Sequence, residues 1–323
     1  MLEFKALTLD TIAEVKPYLD TQTWRSCDYT VGGIYLWADC FDYQYAIAED
    51  VLFIKGNAYA EPEIPSFAAP LRGPSTRGRE DNKCPCRLLH RYCLAEKRPL
   101  VFSSIPAPAK PRLERLFECE GRLDSVEEEL MAGWSDYLYR CSDHADLPGA
   151  AFKRKRNHVS QFERYDPEAR FLPIDAAFLP RLRRFYAELT ADPDLSNAGK
   201  MQLYEQEMVA RLLFDYPRYP FDGLALEARG EIVGFTIGEI QGDTLHVHVE
   251  KARYDVPGAY ERLAQGFAQW ALSRGAVYIN RQDASGDPGL KRSKESWRPI
   301  QLLRKYHIEY PYDMLAACEC EDI

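Results

Sequence analysis

Three short apolar runs, DGLALEA, EIVGFTIGEI and TLHVHVEKA, follow one another between residues 222 and 252, separated only by Arg229-Gly230 and Gln241-Gly242-Asp243. Junctions that short cannot hold a helical crossover, so the runs must pair as antiparallel hairpins. The flanks have the other period. Upstream, DAAFLPRLRRFYAEL places Leu179, Leu182, Phe185, Tyr186 and Leu189 on one side of a helix, and KMQLYEQEMVARLLFDY reads as a second. Downstream come a long helix, AYERLAQGFAQWALSRG, stopped by Gly275, the strand AVYINRQ, a loop, and the helical GLKRSKESW. With ARFLPI as an extended start, the order is β-α-α-β-β-β-α-β-α, ending in the strand-like YHIEYP.

The first half is read from shorter signals. After the extended EFKAL, the stretch DTIAEVKPYL is a helix that Asp10 or Thr11 caps, Glu14 closing a capping box with Thr11 and Ile12, Val15 and Leu19 forming its buried stripe. YQYAIAEDVLFIKGN is a hairpin turning at Glu49-Asp50, CRLLHRYCLAEKR a helix and PLVFSSI a buried strand. Residues 61–85, rich in Pro, Gly and Ser, are expected to form a long surface loop. At 323 residues the chain is too long for one comfortable core, and two units of about 150 residues are expected. Pro148-Gly149 places their boundary so that they span 1–146 and 147–323. The second-half order resembles the GCN5-related N-acyltransferase fold, in which an antiparallel meander meets a helix and a splayed parallel strand. A shuffled set of the same elements in the first half makes the fold class α/β: a tandem of two such units, with mixed, mostly antiparallel sheets flanked by helices.

The formal charge of -9 argues against broad, nonspecific binding to nucleic acid or an anionic membrane, although a local basic patch can still hold a phosphate. No apolar run approaches the roughly 18 to 20 residues of a membrane span, and MLEFKALTLD lacks a basic segment followed by an apolar one. A soluble, cytoplasmic chain is expected. Nine cysteines without an export signal are read as reduced thiols. The pairs Cys84/Cys86 and Cys318/Cys320 have one-residue spacers where structural zinc sites usually have two, so no metal is expected there.

Four segments carry candidate chemistry. The strand period puts His246, His248 and Glu250 of TLHVHVEKA on one face, with Lys251 following; that face either lines a groove or is solvated, and a His-x-His metal site has no third ligand by spacing. In VPGAYERL the amides from Gly258 to Tyr260 open a helix and favour an anion. FKRKRNHV sets Lys153, Arg154, Lys155 and Arg156 beside Asn157, either a phosphate site or a solvated helix face. In GDPGLKRSKESWRPIQLLRK a helix carries Leu290, Ser293 and Trp297 on one side and Lys291, Lys294 and Arg298 on another. Pro299 interrupts it before it resumes as IQLLRKY. Asn280 and Asp283 lie at the end of the preceding strand, where sites in α/β sheets gather.

Taken in order, LPGAAFKRKRNHVSQF, HVHVEKA…VPGAYERL, YINRQDASGDPGLKRSKESWRP and LLRKYHIEY resemble a bacterial family related to the C-terminal domain of phosphatidylglycerol lysyltransferases. The resemblance covers the chain from about Asp136 onward and implies a tandem acetyltransferase-like fold, with transfer of an aminoacyl group from aminoacyl-tRNA to an acceptor. The KRKRN and GLKRSKESWRP segments would then line a substrate tunnel. The resemblance implies a small molecule, a lipid head group or a peptide as the expected acceptor, with the tRNA acceptor end as an expected partner. No resident cofactor is implied, and the donor is either aminoacyl-tRNA or an acyl-coenzyme A. The glycine-richer loop with which acetyltransferases of this fold wrap the pyrophosphate of coenzyme A is missing. Glu250 or Asp283 is the expected base, and Lys294 and Arg292 the expected stabilisers of an oxyanion or phosphate. An acetyl-coenzyme A N-acetyltransferase and a noncatalytic binding protein are the competing readings.

Overall fold

The structure is a computed structural model that describes residues 2–58, 61–76, 85–114, 127–191 and 200–317. The chain divides into two compact units, residues 1–136, 283–286 and 303–323 forming one and residues 137–282 and 287–302 the other.

In the first unit the chain runs β1 (Lys5–Ala6), α1 (Ile12–Leu19), α2 (Val31–Tyr35), α3 (Ala38–Phe41), β2 (Gln44–Ala48), β3 (Val51–Ala58), β4 (Glu61–Phe67), β5 (Leu71–Arg72), α4 (Cys86–Ala95), β6 (Leu100–Pro106), α5 (Lys110–Glu114) and β7 (Glu127–Leu130). The β2–β3 hairpin turns at Glu49 and Asp50, both with positive φ (52° and 56°), as a primed turn demands. Val15 and Leu19 of α1 are fully buried, as its periodicity requires. Its entry is tied differently from expectation: Thr8 and Thr11 cap each other reciprocally, with Thr8 N donating to Thr11 Oγ1 at 3.3 Å. Residues 61–85 are not one loop, because β4 lies inside the sheet between β3 and β6. Pro65 is tolerated there because the pairing of β4 with β6 starts only at Ser66, past the residue that has no amide hydrogen to give.

The second unit runs β8 (Asp136–Arg140), α6 (Cys141–Asp146), α7 (Lys153–Tyr165), β9 (Arg170–Pro173), α8 (Leu179–Leu189), α9 (Lys200–Asp215), β10 (Asp222–Ala228), β11 (Glu231–Gln241), β12 (Thr244–Ala252), α10 (Ala259–Ser273), β13 (Tyr278–Asn280), α11 (Pro288–Glu295) and β14 (Gln301–Leu303). Its sheet order is β14-β8-β13-β12-β11-β10-β9; neighbours from β9 to β12 pair antiparallel, as do β13 and β8, and the β12/β13 pair is parallel. The three-stranded meander stands where the sequence puts it. Leu263, Phe267, Ala268 and Ala271 of α10 close over its apolar face. The chain does not resume as a helix after Pro299; it extends into β14, with Ile300 N donating to Leu138 O at 2.8 Å.

The last strand, β15 (Lys305–Tyr310), followed by α12 (Tyr312–Ala316), joins the first sheet, whose order is β1-β2-β3-β4-β6-β15-β7 with β5 on β3. Each sheet therefore has an antiparallel meander, one parallel pair (β4/β6, β12/β13) and an antiparallel neighbour beyond it. The expected division into 1–146 and 147–323 differs from this one for a topological reason. β8 and β15 are the strands beyond the two parallel pairs, and each comes from the other half of the sequence. Among the described residues no helix is long and apolar enough to cross a membrane.

Candidate active site

β12 pairs with β11 from Gln241↔Thr244 to Gly238↔Val247 and resumes at Ile237↔Val249, leaving His248 as an extra residue. One bulged residue reverses the face that later side chains take. Leu245 and Val247 pack with Phe267 and Ala268 of α10, whereas beyond the bulge it is the even-numbered Ala252 that packs with Ala259 and Leu263. The expected row of His246, His248 and Glu250 on one face is thereby broken, and Glu250 takes the α10 side. His246 is fully buried. His248 Nε2 lies 2.8 Å from Glu239 Oε1 and Nδ1 lies 3.1 Å from the Gln282 amide nitrogen, so both ring nitrogens have a hydrogen-bond partner.

Around Glu250 the second unit assembles a buried charged network. The Arg281 guanidinium, just past β13, donates to the Glu250 carboxylate, and the two side chains are 16% and 12% exposed. Lys294 of α11 donates through Nζ to the Arg281 carbonyl at 2.6 Å, and the Tyr139 hydroxyl donates to the Lys294 carbonyl at 2.9 Å. Lys155 of α7 lies 3.4 Å from Glu261 Oε1 and 4.3 Å from the centre of the Trp297 ring. Arg281 is 5.3 Å from that ring, and His144 of α6 stacks on it at 4.5 Å and 15°. Trp297 is thus the buried hub, with 4% of its surface exposed.

Burial raises the proton affinity of Glu250 by more than Arg281 lowers it, so its carboxyl sits above the ordinary carboxylate range. Burial pushes Lys155 down, opposed by Glu261. His144 is held well below the usual imidazole value by burial and then by Arg281 and Lys155, so it is neutral, and neither ring nitrogen makes a well-formed hydrogen bond. Arg281 Nη1 is also buried without a hydrogen-bond partner. A carboxylate with raised proton affinity beside a guanidinium with an unused donor supplies a proton acceptor and a stabiliser of developing negative charge.

The other expected residues are distributed as follows. Lys153, Arg154 and Asn157 are exposed on α7, while Lys155 turns inward. Arg156 donates to the carbonyls of Leu147 and, at 2.6 Å, Gly149. Lys251 pairs with Glu205 at 2.8 Å. Asn280 is fully buried, and its Oδ1 accepts from Gln282 N at 2.7 Å. Leu290, Lys291, Arg292 and Ser293 are exposed on α11, which buries none of its own residues and is capped by Asp287. At Gly258 (φ +72°) an added Cβ would lie 1.9 Å from the His158 carbonyl oxygen, so α7 closes against the entry to α10.

Asp283 belongs to the first unit, where its Oδ1 accepts from Ser285 N at 2.7 Å. The structure gathers Glu250 and Lys294 around Arg281 and places Asp283 in a second cluster, which motif reading misses. There, Lys305 Nζ lies 2.5 Å from Asp28, 2.6 Å from Asp136 and 3.6 Å from Cys27 Sγ. The ligand atoms of Cys27, Asp136 and Asp283 lie within 4.8 Å of one another, but the Lys305 ammonium already supplies a cation to that group. None of the five described cysteines is in a disulfide, and Cys84, Cys119, Cys318 and Cys320 lie outside the described residues.

Comparison with known proteins agrees with this architecture. A conserved protein of unknown function from Bacteroides thetaiotaomicron superposes with a TM-score of 0.84 at 26% identity, covering 96% of this chain and 99% of that one. The C-terminal domain of a putative lysylphosphatidylglycerol synthetase from Agrobacterium fabrum gives 0.61 at 12% identity, over 95% and 94%. L-PGS from Bacillus licheniformis gives 0.57 at 13%, over 84% and 85%. A search of curated sequences returned no match. Residues 23–309 match the family model for the C-terminal part of phosphatidylglycerol lysyltransferase. The chain belongs to that family, on a tandem GCN5-related N-acyltransferase-like fold.

Proposed function

We propose that this protein transfers an aminoacyl group from aminoacyl-tRNA to an amine or hydroxyl acceptor, at the Glu250–Arg281 network of the second unit. The acceptor attacks the ester carbonyl, a new N–C or O–C bond forms, and the bond to the terminal ribose oxygen breaks. Glu250 takes the proton from the attacking group and returns it to the departing ribose oxygen, so no proton is gained or lost. Arg281 donates through Nη1 to the oxyanion of the tetrahedral intermediate. Lys294 holds Arg281 in place through its backbone carbonyl. The exposed cations Lys153, Arg154, Lys291 and Arg292 suit the phosphates of a tRNA end.

Family membership makes the reaction class the leading one, and the single observation that favours this donor over an acyl-coenzyme A is the closed helix entry at Gly258. The His158 carbonyl packs where a Gly258 side chain would stand, and the Ala259 amide is already bonded to the Val256 carbonyl at 3.3 Å, so the entry to α10 is partly taken up by the protein where a pyrophosphate would bind. The test is incubation of the purified protein with charged tRNA, and separately with acyl-coenzyme A, each with lipid, peptide and small-molecule acceptors and mass detection of adducts. Aminoacyl adducts from charged tRNA alone are expected; turnover with acyl-coenzyme A only, or with neither donor, overturns the reading.

A further inference from the structure

We infer that Tyr254, in the turn between β12 and α10, is a stacking platform for the terminal adenine of the donor tRNA. This placement rests on the aminoacyl-tRNA reading above and adds to it the residue that holds the donor's end.

The Tyr254 ring is both bare and fixed. It is 87% exposed, the highest value for a large hydrophobic side chain among the described residues. The chain is nevertheless pinned around it. Arg253 N donates to Val233 O at 2.8 Å, and the Arg253 guanidinium donates to both carboxylate oxygens of Asp255, at 3.0 and 2.9 Å. The Tyr254 ring lies 5.2 Å from that of Tyr260 at 39°, and the two hydroxyls are hydrogen-bonded. Tyr260 is half-buried and packs on the apolar cluster of Ala252, Ala259 and Leu263. The platform is thus anchored in the core through Tyr260 and open to solvent through Tyr254, and a ring held in this way has little freedom left to lose when a flat ligand covers it.

Charge selects what covers it. Arg253 and Asp255 neutralise each other. Arg229, at the neighbouring hairpin turn, is already engaged: its guanidinium lies 3.8 Å from the centre of the Tyr165 ring and donates to the Tyr165 carbonyl. An aromatic surface bordered by paired charges suits the uncharged face of a nucleobase rather than a phosphate or carboxylate. A cation for the adjoining backbone stands nearby on α7, where the exposed Arg154 is one helical turn from His158, the residue whose carbonyl meets the entry to α10.

Position selects which base. In aminoacyl-tRNA the ester is on the ribose of the terminal adenosine itself, so that adenine must lie within one nucleoside of the reacting atoms. Tyr254 follows Glu250 by four residues, at most about 14 Å of chain, and the Tyr260 hydroxyl feels the Glu250 charge. Trp297 and Tyr139, the rings within the network, are buried and offer no open face.

The probe is a 5′-labelled RNA hairpin ending in single-stranded CCA, set against the same hairpin with an abasic ribose as its last residue, each titrated into the full chain by fluorescence anisotropy. One base–aromatic stack is worth about five- to a hundredfold in affinity, and the wild-type chain is expected to prefer the CCA hairpin by that factor. Tyr254→Ala should remove the preference while leaving the affinity for the abasic hairpin unchanged, and Tyr254→Trp should retain it. Equal affinity of the wild-type chain for the two hairpins, or a preference that survives Tyr254→Ala, overturns the platform and leaves the donor reading standing. Absence of saturable RNA binding overturns both, as does binding of coenzyme A alone that Tyr254→Ala weakens, since the adenine would then belong to an acyl-coenzyme A.

Discussion

Arg281→Met removes one member of the pair at the centre of the network while keeping much of the side chain's volume. Glu250 is then left 12% exposed without its principal counter-charge. Breaking a buried pair from one side costs about 3–5 kcal/mol, and because the charges of Lys294 and Lys155 also lower the affinity of Glu250 for a proton, the lower end, about 3 kcal/mol, is expected. For a unit of this size that is a fall in Tm of about 6–12 °C. The sign of the pH dependence is fixed. Burial already raises Glu250, and loss of Arg281 raises it further, so the folded variant holds the proton to higher pH than the unfolded chain does. Its deficit relative to wild type must therefore widen as pH rises through and above the ordinary carboxylate range, by at most about 1.4 kcal/mol per pH unit, and narrow where the carboxyl is protonated in both states. Melting curves followed by tryptophan fluorescence between about pH 5 and 8 read both the size and the slope, since Trp297 is stacked in the network. Glu250→Gln in the Arg281→Met background should recover most of the loss. A deficit under about 1 kcal/mol, one that is flat with pH, or a double variant no better than the single would refute a buried, paired Glu250.

Three further outcomes are expected. His144 is neutral in the fold and titrates only well below its unfolded value, so stability drains away as pH falls below about 6.5; His144→Phe, which keeps a ring on Trp297, should flatten the acid limb of urea midpoints, and an unchanged slope would contradict the assignment. Lys305 is raised well above the ordinary lysine value because Asp136 and Asp28 outweigh its burial; its contribution is complete at neutral pH and is lost only as pH climbs through the folded value. Lys305→Met should accordingly cost about 3–5 kcal/mol at pH 7, and a Tm close to wild type would sink the description of the first-unit cluster. Gly258→Ala meets both a positive φ and the His158 carbonyl and should destabilise by about 2–5 kcal/mol in thermal melts, whereas a neutral substitution would mean that the helix entry is open.

The meander and α10 are legible in the sequence because local signals agree there: short polar turns set the hairpins, and helical periodicity sets the face that buries. Periodicity fails where a long-range feature intervenes. The single bulge at His248 moves Glu250 to the other face, and nothing in TLHVHVEKA marks it. Pro65 argues for a loop by composition, yet it stands in a sheet at a position whose amide has no β6 partner to serve. Strand-end reasoning selects the segment around Asn280 and Asp283 but not Arg281 between them, since which side chain turns toward Glu250 depends on β12. YHIEYP is correctly extended, but the sheet it joins depends on β6, far upstream. Lys305 in an alternating strand looks like a surface cation; it is buried only because Asp28 and Asp136 converge on it from distant positions.

The most direct test compares single-turnover transfer from aminoacyl-tRNA by the wild-type chain and by Glu250→Gln at matched folding. A base in proton transfer contributes about 10²–10⁴-fold, so the variant is expected to be slower by that factor, with the wild-type rate rising through an ionisation above the ordinary carboxylate range. Transfer by Glu250→Gln within about threefold of wild type, well short of that contribution, would show that the reaction does not use this carboxylate.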